Sequence, residues 1–158
     1  MILHYGNLLQ KAIDGEFDVI IHGCNCFHAM HGGIARHIAK IFPEADQADR
    51  ATEFGDKNKL GTYSEATVVR NGNTIVIINA YTQFDCDPDK DNFQYDFFPQ
   101  VLNSIKEKYG HLRIGMPLIG CGLAGGNEPV ILDMIQQHFN GLDYKLVEID
   151  TTRKLKLK

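Results

Sequence analysis

A chain of 158 residues is long enough to bury the core of one domain, and its net charge of −4 lacks the basic excess of a protein that binds nucleic acid through bulk charge. Its 44% apolar and 23% charged residues are ordinary for a globular protein, and no apolar run could cross a membrane. With four cysteines and no signal-peptide pattern after Met1, we expect a cytoplasmic protein without membrane contact, forming one domain over residues 1–158 with a basic tail at 153–158.

The first half of the chain alternates predicted strands with predicted helices. The predicted strands are residues 1–5, 17–21, 63–70 and 74–79. The predicted helices are residues 8–13, a longer helix that opens at Gly32-Gly33 and ends before Pro43, and residues 44–54. Asn71-Gly72 separates the last two strands and predicts an antiparallel hairpin. Residues 55–61, with Lys57 and Lys59, predict a charged and exposed connection.

The second half continues the alternation after a polar surface loop at residues 83–92. A helix is predicted from Phe93 to about Gly110, and strands are predicted at residues 112–119 and 144–149. Asn127 is a predicted N-cap of a further helix. The predicted core stripe of that helix is Val130, Ile131, Met134, Ile135 and Phe139. This order of elements predicts an α/β fold with three layers, α/β/α, around a mixed, mostly parallel sheet.

Two strand–loop–helix junctions are rich in glycine, one at Gly32-Gly33 and one at residues 120–126. The start of a helix presents free backbone N–H groups and the positive end of its dipole, and glycine lets an anion approach closely. Since ligands of open α/β sheets bind beyond the carboxyl ends of the strands, the two loops are predicted to share one extended anionic ligand.

Polar side chains in the first loop are candidates for binding and catalysis. Asn25 follows an apolar strand, so it either holds its own loop or contacts a ligand hydroxyl. His28 and His31 lie inside the loop, where an imidazole near a phosphate could donate or relay a proton. Tyr81 follows a strand end and either stacks on a base or covers the core.

Metal and thiol chemistry fit the sequence less well. The Cys24-x-Cys26 spacing matches no common zinc module, so neither a metal nor another cofactor is expected. Cys121 stands between glycines before a helix, but no sequence feature identifies a base for it. Lys57 and Lys59 are most simply a solvated surface pair.

Four motifs resemble those of a macro domain, or macrodomain, the ADP-ribose-binding α/β/α module, over nearly the full chain. The motifs are Gly6-Asn-Leu8, Asn25 followed by Gly32-Gly-Ile-Ala35, Ile78-Asn-Ala80, and Pro117-Leu-Ile-Gly-Cys-Gly-Leu123. The last one is most similar to the branch that holds ADP-ribose-1''-phosphate phosphatases and the terminal ADP-ribose protein glycohydrolase.

This resemblance implies a role for each matching residue. Asn25 would bind the distal ribose, and Leu8 and Tyr81 would lie at the adenine. The backbone residues implied at the distal ribose and phosphates are Gly32, Gly33, Ile34, Gly120, Cys121, Gly122, Leu123 and Ala124. Asn7 stands where many macrodomains have an aspartate that accepts from the adenine amino group, and an amide oxygen can still accept there.

Three functions follow from these residues. The first is hydrolysis of ADP-ribose-1''-phosphate, with His28 or His31 acting as general acid or orienting water. The second is a non-catalytic reader of ADP-ribose, free or attached to a macromolecule. The third is removal of ADP-ribose from modified proteins or nucleic acid, for which Lys59 lies where the glycohydrolase branch has its lysine nucleophile, although Ala124 replaces its aspartate. The sequence sets no oligomeric state.

Overall fold

A computed structural model describes residues 3–87, 89–120 and 125–149, and one mixed sheet forms the centre of this part of the chain. Its strands are β1 (Leu3–Tyr5), β2 (Val19–Cys24), β3 (Tyr63–Arg70), β4 (Asn73–Tyr81), β5 (Ile114–Met116) and β6 (Tyr144–Glu148). The helices are α1 (Leu8–Ile13), α2 (Gly33–Ile41), α3 (Pro43–Arg50), α4 (Phe98–Tyr109) and α5 (Glu128–His138), with a 3₁₀ turn at Lys57–Lys59.

The strand order β1-β6-β5-β2-β4-β3 confirms the predicted mixed, mostly parallel sheet. Only the pairing of β3 with β4 is antiparallel among the strands the structure describes. Their predicted hairpin turns at Asn71 and Gly72, whose φ angles of 53° and 76° are the positive pair that a tight two-residue turn needs. Pairing with β4 continues to Cys24, so β2 extends three residues beyond its predicted end.

Two apolar clusters, one on each face of the sheet, give the three predicted layers. Alternate residues of a strand point to opposite faces, so Ile21 packs with α4 and α5 while Ile20 packs with α1, α2 and α3. Because β2 is covered on both faces, its apolar residues run consecutively rather than alternating with polar ones. No helix within the described ranges is long and apolar enough to cross a membrane.

The predicted start of α4 is wrong, and so is one predicted core position in α5. Phe93 precedes α4 by five residues and pairs with Gln83 in an isolated antiparallel bridge, although its ring still packs against Phe98 at 4.9 Å. The buried Phe93 ring continues the apolar spacing of α4 although its backbone is not helical, so the predicted helix began too early. Val130 is 44% exposed, whereas Ile131 in the next position is fully buried. Asn127 caps α5 as predicted, with its side chain accepting from the Val130 N–H at 3.2 Å.

Gly120 follows β5 with a φ of 83°, and a Cβ atom there would meet the ring of Phe93. Gly72 has a similar φ of 76°, but a Cβ atom there would have open space around it. We expect Gly72→Ala to cost about 1 kcal/mol of stability for the strained φ alone, and Gly120→Ala about 1–3 kcal/mol more because the Phe93 ring must move. Urea unfolding of both variants measures the difference, and equal losses would show that the ring yields without cost.

Candidate ligand-binding site

The loops that contain the two glycine-rich junctions follow neighbouring strands. β2 pairs in parallel with β5, so both loops leave the sheet at the same edge. The ends of the two strands are close together, because a Cβ atom on Gly23 would lie 2.8 Å from the Ile119 side chain. A ligand shared by the two loops stays a prediction.

The first junction opens α2 without a side-chain cap. Gly32 occupies the N-cap position and has no side chain to cap the free N–H groups of the first turn, and Gly33 is exposed. Ile34 is half-buried against the cluster that covers this face of the sheet. An uncapped start of a nine-residue helix presents backbone donors and a positive dipole end to an anion.

The second junction is described only at its two ends. The Gly126 N–H donates to the Gly120 carbonyl at 2.7 Å and so closes the loop at its base. The remaining predicted binding residues of this loop, Cys121, Gly122, Leu123 and Ala124, lie outside the described residues, and their roles stay predictions.

Asn25 holds its own loop, which is one of the two interpretations that the sequence left open. Its Oδ1 accepts from the N–H groups of Phe27 and Ala29 at 2.9 and 3.3 Å, and its Nδ2 donates to the Ala29 carbonyl at 3.0 Å. The side chain is only 7% exposed, so these bonds satisfy a buried amide. One hydrogen of Nδ2 remains for a ligand hydroxyl.

The two loop histidines differ in what they contact. The His28 Nε2–H donates to the Thr52 carbonyl at 2.8 Å, and its ring meets the edge of Phe54 at 5.4 Å. Its φ of 56° is unusual for a residue other than glycine. His31 is exposed and directly precedes Gly32 at the start of α2. His31 is therefore the histidine whose ring is open to a ligand at the helix start.

Lys59 is buried, so the prediction of a solvated lysine pair is wrong for it. The 3₁₀ turn exposes Lys57 but leaves Lys59 only 7% exposed and Leu60 only 8% exposed. The Lys59 Nζ donates to the Thr52 Oγ1 at 2.9 Å and lies 4.8 Å from the centre of the Tyr81 ring. Successive side chains of a 3₁₀ turn point about 120° apart, which lets one lysine face inward while another faces solvent.

Tyr81 covers the core rather than a ligand. It is 1% exposed, and its hydroxyl donates to the Asp49 carboxylate at 2.7 Å. Burial raises the pKa of Tyr81, so the phenol keeps its proton. The prediction that its ring lies at the adenine is therefore wrong, because no face of the ring is open to solvent.

Asn7 and Leu8 both have structural roles in α1. The Asn7 Oδ1 accepts from the Gln10 N–H at 3.1 Å as the N-cap of α1, while the residue itself is exposed. Leu8 is 4% exposed and belongs to the apolar cluster beneath α1. Asn7 can thus reach a ligand, whereas Leu8 offers little surface to one.

A chain of hydrogen bonds runs beneath the site and ends at Asp49. His22 donates from Nε2 to the Asn79 Oδ1 at 2.6 Å, and the Asn79 Nδ2 donates to the Ser64 Oγ at 3.0 Å. The Ser64 hydroxyl lies 2.8 Å from the Tyr81 hydroxyl, whose own proton goes to Asp49. Every proton therefore points towards the Asp49 carboxylate, whose Oδ2 has no hydrogen-bond partner among the residues that the structure describes.

Sequence reasoning missed most of this buried chain. A signal existed for Asn79, because an amide inside the apolar strand β4 must find partners when it is buried. Asp49 and Thr52 gave no signal, because they stand in a polar stretch that is typical of a solvated helix and its end. Burial raises the pKa of Asp49, which the Tyr81 hydroxyl only partly opposes.

Metal ligands do not converge in this part of the molecule. Within residues 3–87, 89–120 and 125–149, no three His, Cys, Asp or Glu side chains are placed to hold an ion. Cys24 and Cys26 are buried, and burial raises the pKa of the Cys26 thiol to about 11. Both thiols therefore stay protonated near neutral pH.

Solved structures of similar fold include macrodomains. Thermosipho africanus DarTG in complex with ADP-ribose superposes with a TM-score of 0.71 at 13% identity, over 99% of this chain and 46% of that one. The macrodomain of Mycobacterium tuberculosis DarG gives 0.69 at 19% identity, over 92% and 96% of the two chains. A macrodomain protein of Streptomyces coelicolor gives 0.69 at 18% identity, over 92% and 98%. The chain has the macrodomain fold.

A sequence relative places the chain within a family. It is 34% identical over 156 residues to an uncharacterised 17.5 kDa protein from the tk-vs intergenic region of Enterobacteria phage T4, covering 94% of this chain and 97% of the relative. The chain belongs to the same family as that phage protein. No protein-family model matches the chain. The particular macrodomain branch that the sequence suggested stays a prediction.

The buried His22 makes stability depend on pH. Burial lowers the pKa of His22 from an ordinary 6.5 to about 4, so below pH 6.5 the unfolded chain binds a proton that the folded protein does not. Stability is therefore lost as pH falls from 6.5 to 4. Relative to His22→Gln, which has no titrating ring, the wild type should lose about 2 kcal/mol more between pH 7 and pH 5. Parallel urea-unfolding curves of stability against pH would contradict this.

Proposed function

We propose that this protein binds ADP-ribose or a derivative of it, with the diphosphate between the start of α2 and the loop after β5. The observation that carries the proposal is the uncapped helix start at Gly32 and Gly33, in the loop after β2, together with the parallel pairing of β2 with β5, the strand that the glycine-rich loop at Gly120 follows. The backbone donors of this helix start, with those that the sequence predicts for residues 121–124, suit a ligand with two linked phosphates, and a net charge of −4 leaves recognition to such local donors. The complex of Thermosipho africanus DarTG with ADP-ribose supports the ligand class.

We further propose that the ligand is turned over as ADP-ribose-1''-phosphate. Water attacks the phosphorus, the bond from phosphorus to the ribose oxygen breaks, and that oxygen takes a proton from His31. His31 suits this role because it is exposed beside the helix start, whereas His28 already donates from Nε2 to Thr52. Asn25 keeps the loop in shape and has one N–H for a ribose hydroxyl.

Calorimetric titration tests the binding. ADP-ribose should bind one-to-one in the micromolar range, about −8 kcal/mol, and far more tightly than AMP or ribose-5-phosphate. Phosphate release from ADP-ribose-1''-phosphate should then fall at least about 100-fold in His31→Ala with little change in binding, because only proton donation is removed. His37→Ala, at an exposed histidine within α2, is the control. Binding without release in the wild type would define a reader, and no binding would contradict the site.

A second reaction, removal of ADP-ribose from a modified macromolecule, is favoured by Lys59. Burying a lysine to 7% exposure with its Nζ held in one position costs free energy of folding, which favours a functional role. No ion pair among the described side chains includes Lys59 to offset that cost. Its Nζ would attack C1'' of the distal ribose while the bond to the macromolecule breaks, and water would release ADP-ribose from the adduct.

Lys59→Met separates this reaction from the first. It should abolish release of ADP-ribose from modified protein or nucleic acid and leave phosphate release unchanged, because the methionine keeps the buried stem but lacks the amine. Lys57→Met, in the same 3₁₀ turn but exposed, is the control. Release of ADP-ribose is followed by chromatography. Equal rates in Lys59→Met and the wild type would exclude the lysine.

A further inference from the structure

Thr52 contacts two of the candidate catalytic side chains, His28 and Lys59. It follows α3 by two residues. Its carbonyl oxygen accepts from His28, and its hydroxyl accepts from Lys59 and also lies 3.4 Å from the His28 Nε2. The hydroxyl Oγ1 lies 2.9 Å from the Lys59 Nζ, and the carbonyl oxygen lies 2.8 Å from the His28 Nε2. One residue thus connects the loop after β2 with the 3₁₀ turn before β3.

The direction of each bond follows from the number of protons. A threonine hydroxyl has one proton, and the Asp49 carbonyl oxygen, 2.6 Å away, can only accept it. Oγ1 therefore presents lone pairs alone to Lys59 and accepts from its Nζ. The hydroxyl therefore fixes the position of the Lys59 Nζ.

A fixed Nζ matters because lysine is otherwise mobile. Its stem has four rotatable bonds, and freezing them costs substantial conformational entropy at the moment of reaction. In this structure the stem is buried, the Tyr81 ring lies 4.8 Å from Nζ, and Thr52 holds the terminal atom. The entropy is therefore lost on folding rather than on reaching the transition state.

We propose that Thr52 is a positioning residue, whose hydroxyl holds the Nζ of Lys59 where the reaction needs it. The inference rests on the proposed function, in the form that uses Lys59 on the distal ribose. Thr52 itself is not assigned a contact with the ligand, and its effect is carried through Lys59.

Kinetics of two substitutions test this role. Thr52→Val keeps the branched shape but removes the hydroxyl, and it should lower kcat for ADP-ribose release by about tenfold or more with KM within about twofold. Thr52→Ser keeps the hydroxyl and should restore kcat to within about threefold of the wild type. Thr67→Val, on an exposed position of β3, controls for the exchange of residue type. A Thr52→Val enzyme with unchanged kcat, or a Thr52→Ser enzyme as impaired as Thr52→Val, would overturn the proposal.

A second measurement needs no substrate and separates failure of the proposal from failure of the function. Acylation of individual lysines by an N-hydroxysuccinimide ester is followed by peptide mass spectrometry, with Lys57 as the internal reference. Lys59 should react several-fold faster in Thr52→Val than in the wild type or Thr52→Ser, because its Nζ is released from the anchor. An unchanged Lys59 rate would overturn the positioning role whatever the activity. A changed rate without turnover of any ADP-ribose derivative would overturn the function and leave the anchor standing.

Discussion

The parallel pairing of β2 with β4 on one side and β5 on the other determines where every part of the candidate site lies. Parallel strands end at the same edge of a sheet, so the loops that follow them must meet there. The loop that leads to the uncapped start of α2 and the glycine-rich loop at Gly120 leave the sheet at the same edge for this reason. A slip of the β2 register by one residue would exchange its two faces and separate the loops from the layers that hold them.

Polar groups buried beneath this edge give the site its rigidity. The bonds from His22 through Asn79, Ser64 and Tyr81 to Asp49 satisfy groups whose burial would otherwise cost several kcal/mol. Each hydrogen bond in this series has a fixed direction, because the series starts at a ring N–H and ends at a carboxylate. Such a chain resists rearrangement, since reversing one hydroxyl would leave a neighbouring donor unpaired.

The polar side chains of the site bond mainly to the protein itself. Asn25 makes three hydrogen bonds within the loop after β2, and Thr52 connects that loop to Lys59. Backbone N–H groups are then the donors left for an anion, together with the exposed His31. This division explains why a chain of net charge −4 can be proposed to hold a diphosphate without a basic patch.

The sequence by itself determined the elements, the hairpin at Asn71-Gly72, the mixed sheet and the two glycine-rich junctions, because strand and helix periods and turn residues are local properties. Only the tertiary structure decided that Lys59 is buried and that Tyr81 faces the core, because those placements depend on which segments pack together. Asp49 and Thr52 show the limit best. They stand in a polar stretch that is typical of solvent, and only the approach of β4 and the 3₁₀ turn encloses them.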